Sequence, residues 1–184
     1  MMNHFLDYSK RLHAALELVE FDKVEYLAEE LYALWRSKRT FFLCGNGGSA
    51  GNAIHLANDF NYGISKKDGI GMRVDALPAN SSVVTCLAND IGYDKIFSQQ
   101  LSVKANKDDI LLVLSGSGNS PNVVNALNIG NEIGMKTFAI LGYDGGKCKS
   151  LAQVPIHIPV NDMQISEDLQ VIIGHMIMQW ICEK

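Results

Sequence analysis

Two pairs of ionisable residues in this chain sit at spacings that could hold an ion or move a proton. His55 and Asp59 are four residues apart in a stretch of helical pattern, so their side chains share a face. Glu167 and His175 are eight apart in a second such stretch, about 12 Å at ~1.5 Å per residue, so side chains leaning together reach a common ion. Two imidazoles and two carboxylates make a divalent-metal set or a proton-transfer set. Each has a plainer reading as well: His55 on a half-buried helix face, His175 as a satisfied core or interface histidine, Asp59 and Glu167 as surface carboxylates. A histidine within Ile173-Gly174-His175-Met176-Ile177 needs a partner wherever it lies. His4, His13 and His157 read as structural or exposed.

A second kind of chemistry is carried by loops. Ile110 to Leu114 is an unbroken apolar run, the pattern of a parallel strand covered on both faces. Ser115-Gly116-Ser117-Gly118-Asn119-Ser120 follows, and Pro121 then suits the first position of a helix with Ser120 as its N-cap. An uncharged Ser/Gly loop at a helix N-terminus gathers amides, hydroxyls and a positive dipole end, which makes an anion site for a phosphate. Alone, such a loop is equally an ordinary turn. A second unit of the same kind shifts that balance: Thr40 to Cys44 reads as a strand, Gly45-Asn46-Gly47-Gly48-Ser49-Ala50 as its loop, and a helix follows through Asp59. Neither loop has the GxGxxG spacing of a dinucleotide site or the lysine of a P-loop, so a small phosphate ester fits better than a pyrophosphate or triphosphate.

The elements that must position these residues follow from periodicity. Residues 4–19 and 22–36 have helical spacing and form two amphipathic helices ahead of the sheet. Met72 to Leu77 predicts a strand and Ser81 opens a helix through about Ala88, with a break over Asn89 to Tyr93 and a helical pattern from Asp94 to Lys104. Gly134 is placed to cap the helix after the central strand, and Lys136 to Leu141 predicts a further strand. Val154 to Pro159 alternates, and its prolines confine it to a sheet edge. The result is an α/β fold, a three-layer αβα sandwich with a mainly parallel sheet of about five strands and an N-terminal helical hairpin. Both loops would then lie beyond the carboxyl ends of strands, where ligands of such sheets bind. The last helix, about Ile165 to Ile181, is apolar nearly all round and predicts a homo-oligomer with it and the N-terminal pair in the contacts.

At 184 residues the chain suits one domain spanning 1–184, with helices over 1–38 and the sheet core and last helix over 39–184. A net charge of −4 gives no footprint for nucleic acid or an anionic membrane, and Lys66-Lys67 reads as a solvated loop. The four cysteines lack CxxC spacing; Cys44 and Cys86 have apolar neighbours, and all four read as buried or free thiols of a reducing compartment. No signal-peptide order and no long apolar run is present, so the expected location is the cytoplasm.

Four motifs in order, Cys44 to Ala50, His55, Ala88-Asn89-Asp90-Ile91-Gly92-Tyr93 and Ser115 to Ser120, resemble the sugar isomerase (SIS) domain, and more narrowly its phosphoheptose isomerase branch. The resemblance implies that Asn46, Gly47, Gly48, Asn89, Asp90 and Glu167 contact substrate and that Ser115, Gly116, Ser117 and Ser120 hold its phosphate. It implies zinc or another divalent metal on His55, Asp59, Glu167 and His175. It further implies a homotetramer that converts sedoheptulose 7-phosphate to D-glycero-D-manno-heptose 7-phosphate through an enediol for surface polysaccharide, with Asp59 as base and His175 as acid. Three positions depart from the family pattern: Asp59 replaces a glutamate, Glu167 a glutamine and Gly116 a common threonine. Aspartate and glutamate differ by only ~0.4 pK units, but one missing methylene withdraws the carboxylate by about 1 Å, a misplacement that can cost ~10²-fold. The alternatives are a non-catalytic SIS protein that binds a sugar phosphate or a partner such as a replication initiator, and an isomerase of another phosphosugar.

Overall fold

A computed structural model describes residues 2–65 and 69–184; the Lys66-Lys67 pair lies outside the described residues. Helices α1 (Met2–Leu16) and α2 (Phe21–Arg36) precede strand β1 (Thr40–Cys44) and helix α3 (Gly48–Asn61). Strand β2 (Arg73–Ala76), helix α4 (Ser81–Asp90) and helix α5 (Ser98–Lys104) lead to β3 (Ile110–Ser115) and α6 (Pro121–Ile133). The chain continues through β4 (Lys136–Leu141), α7 (Cys148–Leu151), β5 (Val154–His157) and α8 (Met163–Cys182).

The five strands pair in the order β2-β1-β3-β4-β5, and every pairing is parallel. Alternation along each strand sorts the apolar residues into two cores. Phe41, Leu43, Ile110, Leu112, Leu114, Phe138 and Ile140 face α2, α3 and α8, with α1 behind them. Phe42, Cys44, Leu111, Val113, Ala139 and Leu141 face α5, α6 and α7. β5 with Pro155 is an edge strand, where a missing amide hydrogen costs no ladder bond. Gly134 ends α6 in the left-handed conformation at φ 86°, as expected of a C-cap glycine.

Several expectations need correction. Asn89 and Asp90 do not lie in a break but are the last two residues of α4. The Asn80 side chain caps that helix by accepting from the Val83 amide, and helical bonding persists until the Ile91 and Gly92 amides donate to the Leu87 carbonyl. Residues 94–104 are not one helix: a 3₁₀ turn over Tyr93–Lys95 precedes α5. Cys86 is exposed, because α4 fully buries none of its residues; Cys44 and Cys148 are buried, Cys182 is exposed, and all four are free thiols. Burial pushes the Cys44 thiol well up and that of Cys148 up to about 12, so neither is a reactive thiolate. In α8 the chain covers one stripe by itself, with Ile165, Leu169, Ile173, Ile177 and Ile181 all buried. Among the described residues no helix is long and apolar enough to cross a membrane.

Candidate functional site

β1 and β3 are neighbours, yet the helix after β1 leads to β2 on one side and the helix after β3 to β4 on the other. Their loops therefore diverge and open a crevice at the carboxyl ends of the strands, the topological switch point of the sheet. A pocket of about 270 Å³ occupies it. Asn46, Gly47, Gly48 and Ser49 line one side, and Ser115, Gly116, Ser117 and Ser120 the other. Met163 and Glu167, from the first turns of α8, complete the wall.

The serine loop is held from within and from behind. The Ser115 hydroxyl accepts from the Gly118 amide at 3.0 Å, and the Gly118 carbonyl accepts from the Cys148 amide at 3.0 Å. Gly118 has φ +63° and a Cβ there would lie 2.1 Å from the Gly145 carbonyl oxygen, so only glycine fits. Ser120 occupies the N-cap position of α6, but its side chain makes no capping bond, which leaves that hydroxyl for the pocket. Above Gly116 the space is taken by Met163, whose Sδ would stand 2.7 Å from a Cβ at that position. On the far side of Ser117 a second cavity of about 490 Å³ is lined by Asn119, Tyr143, Asp144, Pro159 and Asn161.

The two loops are tied together by Asn122 and Tyr93, to neither of which the sequence assigns a role. Asn122, 1% exposed in the first turn of α6, exchanges a reciprocal pair of 2.8 Å amide bonds with Asn46. The Tyr93 hydroxyl donates to Asn46 Oδ1 at 3.0 Å. The Asn46 side chain is thereby fixed before any ligand arrives. Nothing in the sequence sets Asn122 apart from a solvated first-turn asparagine. Asn89 and Asp90, expected at the substrate, are exposed at the end of α4, where Asn89 Nδ2 donates to Asp90 Oδ1 at 2.8 Å; neither lines the pocket.

The four ionisable residues do not assemble as one set. His55, Asp59 and His175 converge: His55 Nε2 lies 2.9 Å from His175 Nε2, and Asp59 Oδ2 is 3.5 Å from the first and 3.2 Å from the second. All three ligand atoms fall within 4.8 Å of one another. Ligands at 2.0–2.1 Å from a tetrahedral ion are separated by about 3.3 Å, so the trio has the dimensions of a metal site. Glu167 is elsewhere. α3 and α8 run parallel, with Gly48 beside Glu167, Leu56 beside Gly174 and Gly63 beside Met178. Helical side chains lean toward the N-terminus of their helix. The Glu167 carboxylate accordingly points up to the loop, 2.3–2.4 Å from where a Gly48 Cβ would be, while His175 lies two turns farther down. Glu167, expected both at the substrate and at the metal, lines the pocket between the loops. Asn52 locks the register by donating to the Glu167 carbonyl and to Gln170 Oε1, each at 3.0 Å.

This arrangement of two Ser/Gly loops on a parallel sheet is that of a sugar isomerase domain, and the family model for the SIS domain matches residues 4–142. A phosphoheptose isomerase of Aliarcobacter butzleri is 33% identical over 183 residues, which span 98% of this chain and 95% of the relative. The chain belongs to the phosphoheptose isomerase family. The structure of a phosphoheptose isomerase from Neisseria gonorrhoeae is similar at a TM-score of 0.90 and 26% identity, covering 100% of this chain and 97% of that one. One from Francisella tularensis has a TM-score of 0.92 at 22% identity, with 100% and 97% covered, a likeness of fold.

Proposed function

We propose that this protein is an aldose-ketose isomerase that converts sedoheptulose 7-phosphate to D-glycero-D-manno-heptose 7-phosphate through an enediol. The observation that carries the reading is the single pocket made by both loops in a chain of this family. The Ser117 and Ser120 hydroxyls and the amides of the serine loop and the α3 N-terminus receive the phosphate. Asn46, held by Asn122 and Tyr93, presents its remaining amide hydrogen to the sugar hydroxyls. Isomerisation then moves one proton from C1 to C2 and one from O1 to O2, without net oxidation.

His55, Asp59 and His175 would hold zinc or another divalent ion. Such an ion polarises a carbonyl or hydroxyl oxygen. Three protein ligands are the number that catalytic rather than structural zinc sites supply.

Self-association into a tetramer belongs to the same reading. Ile54 is 43% exposed and Met176 40% exposed, flanking His55 and His175, and a second copy would cover them. A monomeric mass by light scattering at micromolar concentration would contradict that part.

A proton NMR time course with sedoheptulose 7-phosphate, with and without zinc, tests the reaction. New aldose anomeric signals are the expected result. A specific observation favours the non-catalytic alternative: the trio does not line the pocket. Retained sugar-phosphate binding with no new signal under either condition would establish that alternative.

A further inference from the structure

The cavity on the far side of Ser117 has no part in the reaction described above, yet it is the larger of the two, about 490 Å³ against about 270 Å³. Its size falls within the ~300–1,000 Å³ of small-molecule sites. β4 ends at Leu141, and the turn that follows brings Tyr143 and Asp144 into the cavity wall; Pro159 and Asn161 come from the segment between β5 and α8. The two cavities adjoin across Gly116. A Cβ there would stand 2.7 Å from Met163 Sδ, in the first wall, and 3.7 Å from Tyr143 Cε2, in the second. Ser117 is common to both walls.

Tyr143 is held where its backbone is strained. Its φ of +46° lies in the left-handed region, which a bulky residue enters only when its surroundings force it. The surroundings are bonds on either side: the Tyr143 amide donates to the Val160 carbonyl at 3.0 Å, and its carbonyl accepts from His157 Nε2 at 3.0 Å. The preceding Gly142 amide donates to the Gly116 carbonyl at 3.0 Å, which ties this turn to the serine loop. The ring is fixed beside that loop before any ligand arrives.

The chemistry of the wall selects the ligand class. None of the lining residues is a lysine, arginine or histidine. The amides of the turn are spent, since Gly145 donates to the Gly142 carbonyl, Gly146 to Asp144 Oδ1, Lys147 to Asn119 Oδ1 and Cys148 to the Gly118 carbonyl. With the Asp144 charge added, the cavity is not built for an anion, and a single carboxylate is a poor cage for a divalent cation. The Tyr143 hydroxyl, Asp144 Oδ2 and the Asn161 amide have no partner among the described residues. An aromatic surface, a carboxylate and an amide in one cavity suit a neutral ring that carries both C–H and hydroxyl groups, with hydroxyls donating to the carboxylate.

We propose that this cavity is a second site, for the ring of an unphosphorylated sugar, and that its occupancy opposes phosphate binding in the two-loop pocket. The site stands apart from the isomerase reading; the opposition rests on the phosphate assignment in that reading. Ser117 has one hydroxyl hydrogen to donate, and a hydrogen given to a sugar in one cavity is withdrawn from a phosphate in the other. Each ligand therefore weakens the other by the same factor, and the effect saturates.

The test is saturation-transfer NMR of the full chain with D-mannose, D-glucose and D-galactose as probes, titrated with and without inorganic phosphate. At least one sugar is expected to bind with a Kd of about 1–10 mM, the range of so small a ligand. Saturating phosphate should weaken it about fivefold and no further. Tyr143→Gly removes the ring and relaxes the backbone, so the fold is retained; Asp144→Asn keeps the side-chain shape. Each should weaken the sugar at least ~5-fold and leave phosphate affinity, read by calorimetry, within about twofold of wild type. Ser117→Ala should bind the sugar at the weakened level with or without phosphate. No signal from any of the three sugars, or undiminished binding in both Tyr143→Gly and Asp144→Asn, would overturn the inference. So would displacement that grows without limit as phosphate rises, which would put the sugar in the two-loop pocket. Sugar affinity indifferent to bound phosphate would remove the opposition. A wild type that binds sugar but no phosphate would strike the phosphate assignment and leave the second site standing.

Discussion

His55 and His175 come from helices 120 residues apart in sequence and bring their Nε2 atoms to 2.9 Å, with the rings at 78° to each other and Asp59 beside both. Neither helix has a structural need for this contact, since the two imidazoles are each more than 40% exposed. A divalent ion, as proposed above, would supply the need. Zinc at 100 times its dissociation constant stabilises the fold by about 2.7 kcal/mol. For a chain of this size that raises Tm by about 5–10 °C, and chelation reverses it. His175→Ala and Asp59→Ala should each abolish the shift in a thermal scan; an undiminished shift in either would remove the site.

Gly48→Ala probes the contact on which the pocket wall depends. The new methyl would stand 2.3–2.4 Å from the Glu167 carboxylate, the movable end of a flexible side chain. The fold should survive with less than about 1 kcal/mol lost, while turnover falls at least ~10-fold because the carboxylate must leave its place. Unchanged turnover would mean that Glu167 has no part in the reaction.

Asn122→Leu removes both amide bonds to Asn46 and the bond from the Val123 amide, leaving Asn46 Nδ2 and the buried Val123 N–H short of partners. The expected loss is about 1–3 kcal/mol of stability, read from urea denaturation, together with weaker sugar-phosphate binding in calorimetry. Loss of stability alone would confine Asn122 to a packing role.

Asp162 starts α8 and so sets where Met163 and Glu167 stand. Its carboxyl is held below the usual aspartate range, chiefly by the Ile165 amide and also by the Arg11 guanidinium. A lowered value means the native state prefers the carboxylate. The stabilisation is therefore full above the unfolded value near ~3.9 and is lost as pH falls through the lower folded value. Asp162→Ala should cost about 1 kcal/mol at pH 7, and its deficit relative to wild type should narrow as pH falls through the lowered folded value. A deficit that persists unchanged at acid pH would contradict the charged cap.

The parts of this molecule legible in its sequence are those set by local patterns. β1 begins and ends at the predicted residues, and Gly134 caps α6 because the left-handed position there suits glycine. The two loops were placed correctly because strand, Gly/Ser loop and helix are contiguous. Side-chain direction was not legible. Glu167 and His175 share a helix and a plausible span, but which end each side chain leans toward depends on how α8 registers against α3. Asn89 and Asp90 look like turn residues, yet the Asn80 cap carries the helix through them. Asn122 acts through a contact 76 residues away, which no local pattern encodes.

The most direct measurement is deuterium incorporation at C2 when the purified protein acts on sedoheptulose 7-phosphate in heavy water with zinc, followed by proton NMR. Isomerisation through an enediol predicts a manno-heptose 7-phosphate product that carries solvent deuterium at C2. A folded protein that binds the sugar phosphate but forms no product and exchanges no proton would contradict the account.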